Sequence, residues 1–152
     1  MKTIKIWAPS IAWMGVIFLM SAMPGDMSGE QSGRLLHLLI SLLTLLLGEE
    51  TAAAISPDML HLLIRKAAHM AEYAVLFFLY RRALRQSGVR RPGLYALLMS
   101  IAYACTDEWH QSFSEGRSPG ATDVGIDTLG ALAMWGLNIA AERLLAKRRK
   151  TP

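Results

Sequence analysis

The sequence predicts an all-α protein: an integral membrane four-helix bundle with an additional short interfacial or re-entrant helix between spans 1 and 2. Three observations predict it. The chain of 152 residues is 53% hydrophobic and only 18% charged, where an ordinary soluble domain is ~45–50% apolar and ~25% charged. Four apolar stretches recur along it. Basic residues gather in alternate connections between those stretches. The length suits one domain rather than two, so the expectation is a single membrane domain over residues 1–152.

The first apolar stretch, residues 6–23, carries no charge and is long enough to span. It is longer than the ~7–15 residues of a signal-peptide core. Ser21-Ala22-Met23-Pro24 is also a poor cleavage sequence, so the segment is expected to be retained. Residues 35–47 form a shorter apolar run, and that length suits an interfacial or re-entrant helix better than a span. If it did span, every later connection would change sides. Gly48-Glu49-Glu50 ends it, and Ser56-Pro57-Asp58 opens the next helix with a cap signal and a first-turn proline. Leu60, Leu63 and Ile64 then lead through Arg65 and Lys66 into span 2, residues 67–80, interrupted by His69 and Glu72. Span 3 is expected at residues 94–106, able to extend through the polar stretch that follows. Span 4 is expected at residues 121–141, with a basic cytoplasmic tail over residues 142–152.

Charge placement decides both partner and orientation. Lys2 and Lys5 precede span 1, and Arg81, Arg82, Arg85, Arg90 and Arg91 crowd the connection between spans 2 and 3. Arg143, Lys147, Arg148, Arg149 and Lys150 follow span 4, offset by Glu142. The remaining connections are acidic. The positive-inside rule then puts both termini in the cytoplasm. An isoelectric point near 9.5 would otherwise invite a nucleic-acid reading. That reading fails because the basic residues alternate with spans instead of lining one face. The expected partner is the lipid bilayer. The single cysteine, Cys105, excludes an intrachain disulfide and reads as a buried, inert core residue.

On this topology the polar residues collect at one level. His69 and Glu72 share a helix face, with Tyr73 one turn on from His69. Asp107, Glu108, His110 and Gln111 follow span 3, Arg117 lies in the next turn, and Asp123 and Asp127 are i, i+4 at the start of span 4. All fall on the extracytoplasmic side. Ionisable groups in spans are costly and mark functional sites. The plainer alternative is a structural network in which Arg117 neutralises Asp123 or Asp127, and Gly125, Gly130 and Gly136 let helices approach closely.

Two chemical uses are consistent with the surplus of acids. In one, Glu72, Asp107, Glu108, His110 and Asp123 include ligands for a divalent cation, the oxygen-rich set favouring Mg, Mn or Ca. In the other, Arg117 grips a phosphate or carboxylate bidentately while His69 or His110 acts as general acid or base. The expected catalytic set is His69, Glu72, Asp107, Glu108, His110 and Asp123, with Arg117, Gln111, Tyr73 and Asp127 binding substrate. His37 and His61 read as interfacial, and Trp7, Trp13, Trp109 and Trp135 as packing or belt aromatics.

The motifs His69-x-x-Glu72-Tyr73, Asp107-Glu108-x-His110-Gln111-x-Phe113-x-x-Gly116-Arg117 and Asp123-x-x-x-Asp127-x-x-Gly130 together resemble the VanZ-like family of small bacterial membrane proteins. The likeness runs over roughly residues 60–140. One departure stands out: Asp127 occupies a position where the family usually has asparagine. The resemblance implies a multi-pass protein of the bacterial inner or plasma membrane. Its namesake is linked to low-level resistance to teicoplanin, which acts on cell-wall precursors outside the membrane. The resemblance implies no settled reaction. The expected ligand is an anionic envelope component such as a lipid-linked phosphate or peptidoglycan precursor. A non-enzymatic protein that shields an antibiotic target is the contrasting expectation. A transporter subunit fits less well, because four short spans without repeats give little scope for alternating access.

Overall fold

A computed structural model describes residues 2–23, 25–114 and 120–148, and these form six helices with no strand among them. They are α1 (Lys2–Ser21), α2 (Gly25–Leu47), α3 (Glu49–Ala53), α4 (Pro57–Gln86), α5 (Pro92–Gln111) and α6 (Ala121–Arg148). Helices α4, α5 and α6 pack against one another, with α1 against α4 and α5, and α2 against α4.

α4 is the centre because of its sequence period. Tyr73, Leu76, Phe77, Tyr80, Ala83 and Leu84 are buried, an i, i+3, i+4, i+7 stripe that turns one face inward along the helix. α5 answers with small residues: Gly93, Ala96, Ser100 and Ala104 are its buried positions, and short side chains let helix backbones approach. From α6, Gly130 and Ala131 complete the contact. Gly130 is the closest point. A Cβ built there would lie 2.1 Å from the carbonyl oxygen of Met70 on α4.

Local signals set the helix ends. Ser56 caps α4, its Oγ accepting from the Met59 backbone N–H at 3.4 Å, with Pro57 in the first turn. At the far end Gly88 takes φ +76°. There Gly88 N–H donates to Arg85 O and Val89 N–H to Leu84 O, the paired bonds of a Schellman stop. Pro92 then starts α5.

Several boundaries differ from the sequence expectation. The region read as residues 67–80 belongs to a 30-residue helix, because the polar residues before Ala67 continue the same helical register. The segment expected at residues 35–47 starts at Gly25 and is followed by the short α3. The helix expected over residues 94–106 runs from Pro92 through Gln111, so the extension into the polar stretch that the sequence allows is realised and Asp107–Gln111 is helical. The tail expected from residue 142 is helical through Arg148. Cys105 is exposed, not buried: it neighbours Ala104, which takes the inward position of that turn. Of the three glycines expected to permit close approach, only Gly130 does so; Gly125 and Gly136 have nothing within 4 Å of a built Cβ.

Two helices, α1 over Thr3–Ser21 and α6, are long and apolar enough to cross a membrane, with only 11% and 17% of their apolar windows buried in the protein. Large apolar side chains such as Ile11, Leu19, Leu38, Leu132 and Leu137 stand exposed.

Candidate functional site

The polar cluster arises from positions the packing pattern reserves for core. On α5 the buried run Gly93, Ala96, Ser100, Ala104 continues at the same spacing to Asp107, Glu108 and Gln111. On α6 Asp127 lies one turn before Gly130, and it is fully buried. Because Gly130 brings the two backbones together at Met70, the adjacent His69 is carried to Asp127. Its Nδ1 lies 3.4 Å from Asp127 Oδ1, an ion-pair approach without the alignment of a hydrogen bond.

Two of the carboxylates are held on one side only. Gln111 Nε2 donates to Asp107 Oδ2 at 3.2 Å, and the Gly120 N–H donates to Glu108 Oε2 at 3.0 Å. Glu108 Oε1 and both Asp127 oxygens are buried without a hydrogen-bond partner, as is the Tyr73 hydroxyl. Asp107, Glu108 and Asp127 each offer an oxygen such that all lie within 4.8 Å of one another. Buried polar atoms are ordinarily paired, so this concentration is the most anomalous feature of the fold.

Beside it opens a cavity of about 60 Å³, lined by Arg65, His69, Glu72, Asp107, Gln111 and Ser21 among others. That is room for a few waters, one needing at least ~10–15 Å³ by this measure. Arg65 supplies a cation at the wall. Lys66 forms an ion pair with Asp123, the role the sequence reading gave to Arg117. α1 closes one side: Trp13 Nε1 donates to the Glu72 carbonyl at 2.9 Å and the Tyr103 hydroxyl to the Met14 carbonyl at 2.7 Å.

His69, Glu72, Asp107 and Gln111 thus meet at one cavity, with Glu108, Asp127 and Tyr73 packed behind it. His110 stands apart. It stacks on Phe18 with ring centroids 4.2 Å apart, and Ser21 Oγ is 3.5 Å from its Nδ1. Asp123 is drawn aside by Lys66. Arg117 lies outside the described residues. Sequence reasoning missed Arg65 and Lys66, which were assigned to a connection. The available signal was their spacing: Lys66, His69 and Tyr73 recur at i, i+3, i+7, and Arg65 is four residues before His69.

The opposite end has the reverse character. Glu142 Oε1 accepts from Arg81 Nη2 at 2.7 Å and from Arg85 Nη1 at 2.8 Å, and Arg81 Nη1 also donates to Asn138 Oδ1 at 3.1 Å. Residues 69 and 85 lie about 24 Å apart along α4, at ~1.5 Å per residue.

The fold and site together define an all-helical protein with exposed apolar helices and an acid–imidazole centre buried among three of them. The sequence model of the VanZ/LLP1 family matches residues 6–142, and the chain belongs to that family. Neither the curated proteins nor the solved structures contain a significant match.

Proposed function

We propose that this VanZ-family protein crosses the bacterial cytoplasmic membrane four times, through α1, α4, α5 and α6, with both termini cytoplasmic. Its polar pocket then faces the exterior, where it binds or modifies an anionic envelope component, a lipid-linked phosphate or peptidoglycan precursor. One observation carries the reading: His69, Asp107, Glu108, Gln111 and Asp127 are gathered at core positions remote from the arginine end. Lipid would solvate the exposed apolar faces, and the Arg81–Arg91 connection belongs inside by the positive-inside rule. α2 lies along the interface. The small cavity suits a phosphate oxygen or ordered water at its mouth rather than a whole headgroup. Arg65 and Arg117 would attract the anion, and His69, held by Asp127, would move a proton in any hydrolysis or group transfer.

A second reading, recognition without turnover that shields an antibiotic's target, draws on His110. Stacking on Phe18 keeps that imidazole apart from the carboxylates, which leaves His69 as the one imidazole at the cavity among the described residues.

Cysteine labelling tests the topology. In a Cys105→Ala background, Ser112→Cys should react with an impermeant maleimide on intact cells, and Ser87→Cys only after permeabilisation; the reverse pattern overturns the proposal. For the ligand, purified protein in nanodiscs should bind a fluorescent polyprenyl diphosphate. Arg65→Ala and Arg117→Ala should weaken that binding about tenfold each, since a charge-assisted contact is worth ~1.5–3 kcal/mol. His69→Gln separates the readings. It should abolish product formation with binding retained if the protein is an enzyme, whereas a recognition protein forms no product in either form. A raised teicoplanin tolerance on expression would support an envelope role.

A further inference from the structure

We infer that Asp107, Glu108 and Asp127 bind one divalent cation, with oxygen ligands from two helices that Gly130 and the small-residue face of α5 hold beside α4. The three carboxylates are buried, and their candidate ligand oxygens lie within 4.8 Å of one another. Three oxygens in a plane around one Ca²⁺ at ~2.3–2.6 Å are ~4.0–4.5 Å apart, so the set is of the right size for Ca²⁺ with at most a small closing of the ring. Mn²⁺ or Mg²⁺ needs the ring to close by some tenths of an ångström. Hard oxygen donors without thiolate favour these ions over zinc.

The hydrogen bonds leave a ligand set. Gln111 and the Gly120 N–H each occupy one oxygen of a carboxylate, which orients the other, as outer partners do around bound metals. What remains is Glu108 Oε1 and both oxygens of Asp127, buried and without a hydrogen bond, Asp127 Oδ1 having His69 Nδ1 at 3.4 Å, beside the second oxygen of Asp107. Among the described residues, the ion pairs made by lysine and arginine do not reach these three; Lys66 is committed to Asp123. An independent group points the same way. The Tyr73 hydroxyl is fully buried, has no hydrogen-bond partner, and has Asp107 and Asp127 as charged neighbours. A water carried by the cation would satisfy it. This inference deepens the proposed anion binding, and rests on it only for the remaining ligand, a phosphate oxygen that the cation would bridge to the protein.

The test uses the metal alone. Full-length protein in detergent, stripped with chelator, should bind one equivalent of Mn²⁺ by electron paramagnetic resonance, displaced by Ca²⁺, and its melting temperature should rise with either ion. Asp127→Asn and Glu108→Gln should each weaken binding by at least the ~10–100-fold that loss of an outer partner costs, while the apo proteins remain folded. Arg117→Ala should leave Mn²⁺ binding intact. No binding at millimolar Mn²⁺, or binding unchanged by both carboxylate substitutions, overturns the inference. If Mn²⁺ binds only once Arg117 is removed, the guanidinium is the natural occupant, and the inference falls as well. Mn²⁺ binding without polyprenyl diphosphate binding would sink the proposed ligand and keep the cation. The converse result would sink the cation alone.

Discussion

Gly130→Ala is the sharpest test of how this site is assembled. The added Cβ would lie 2.1 Å from Met70 O and 2.7 Å from Met70 C, whereas carbon–oxygen contacts ordinarily lie at ~3.3–3.6 Å. Both neighbours are backbone, so no rotamer change relieves the clash, and α4 and α6 must part locally by about 1 Å. Overpacking of this kind costs ~1–3 kcal/mol. His69 adjoins Met70, so the same movement would open its 3.4 Å approach to Asp127. Gly125→Ala and Gly136→Ala are the controls, because nothing lies within 4 Å of either Cβ. Alanine's better helix propensity should leave those variants unchanged or more stable by up to ~1 kcal/mol. Unfolding in detergent micelles, followed by circular dichroism, reads all three. A Gly130→Ala protein as stable as Gly125→Ala would refute the close-approach argument, and with it the account of why His69 meets Asp127.

The remaining predictions address the ends of the helices and the α1 contact. Arg81 beside Glu142, by hydrogen bond and then by charge, with Arg85 adding to it, holds the Glu142 carboxyl below its ordinary 4.5. Because the folded value is depressed, the stabilisation is present above the ordinary value and fades as pH falls through the lower one. Wild type should therefore lose its thermal advantage over Glu142→Gln on acidification below about pH 4.5, and an advantage that persisted in acid would contradict the clamp. Ser56→Ala removes the α4 cap and should cost about 1 kcal/mol, seen as faster amide exchange over the first turn of α4. Trp13→Phe deletes the donor to the Glu72 carbonyl. It should cost about 1–3 kcal/mol if the carbonyl stays dry, and an unchanged melting temperature would show that water replaces the indole.

Much of the architecture was legible because it is local. The Ser56-Pro57 start, the arginine-rich connection and the apolar face of Leu60, Leu63 and Ile64 depend on residues within one or two turns. The boundaries that came out short share one cause. Hydropathy drops where polar residues enter a helix, but helical hydrogen bonding does not, so α4 runs on through Arg65 and Lys66 at one end and Arg81 and Arg85 at the other, and α5 through Asp107. Cys105 shows the complementary error: a small apolar residue beside a core alanine still points outward when its angular position does.

The helical class, the uneven distribution of charge, and the presence of acids and imidazoles where apolar residues were due can all be read along the chain. Those are properties of composition and of period along one strand of chain. Which polar groups meet follows from how the helices pack. Lys66 pairs with Asp123, His110 stacks on Phe18, and Asp127 joins Asp107 and Glu108. Such pairings depend on the rotation and separation of helices distant in sequence. For His69 and Asp127 that separation is set where α6 meets α4, at the missing Cβ of Gly130.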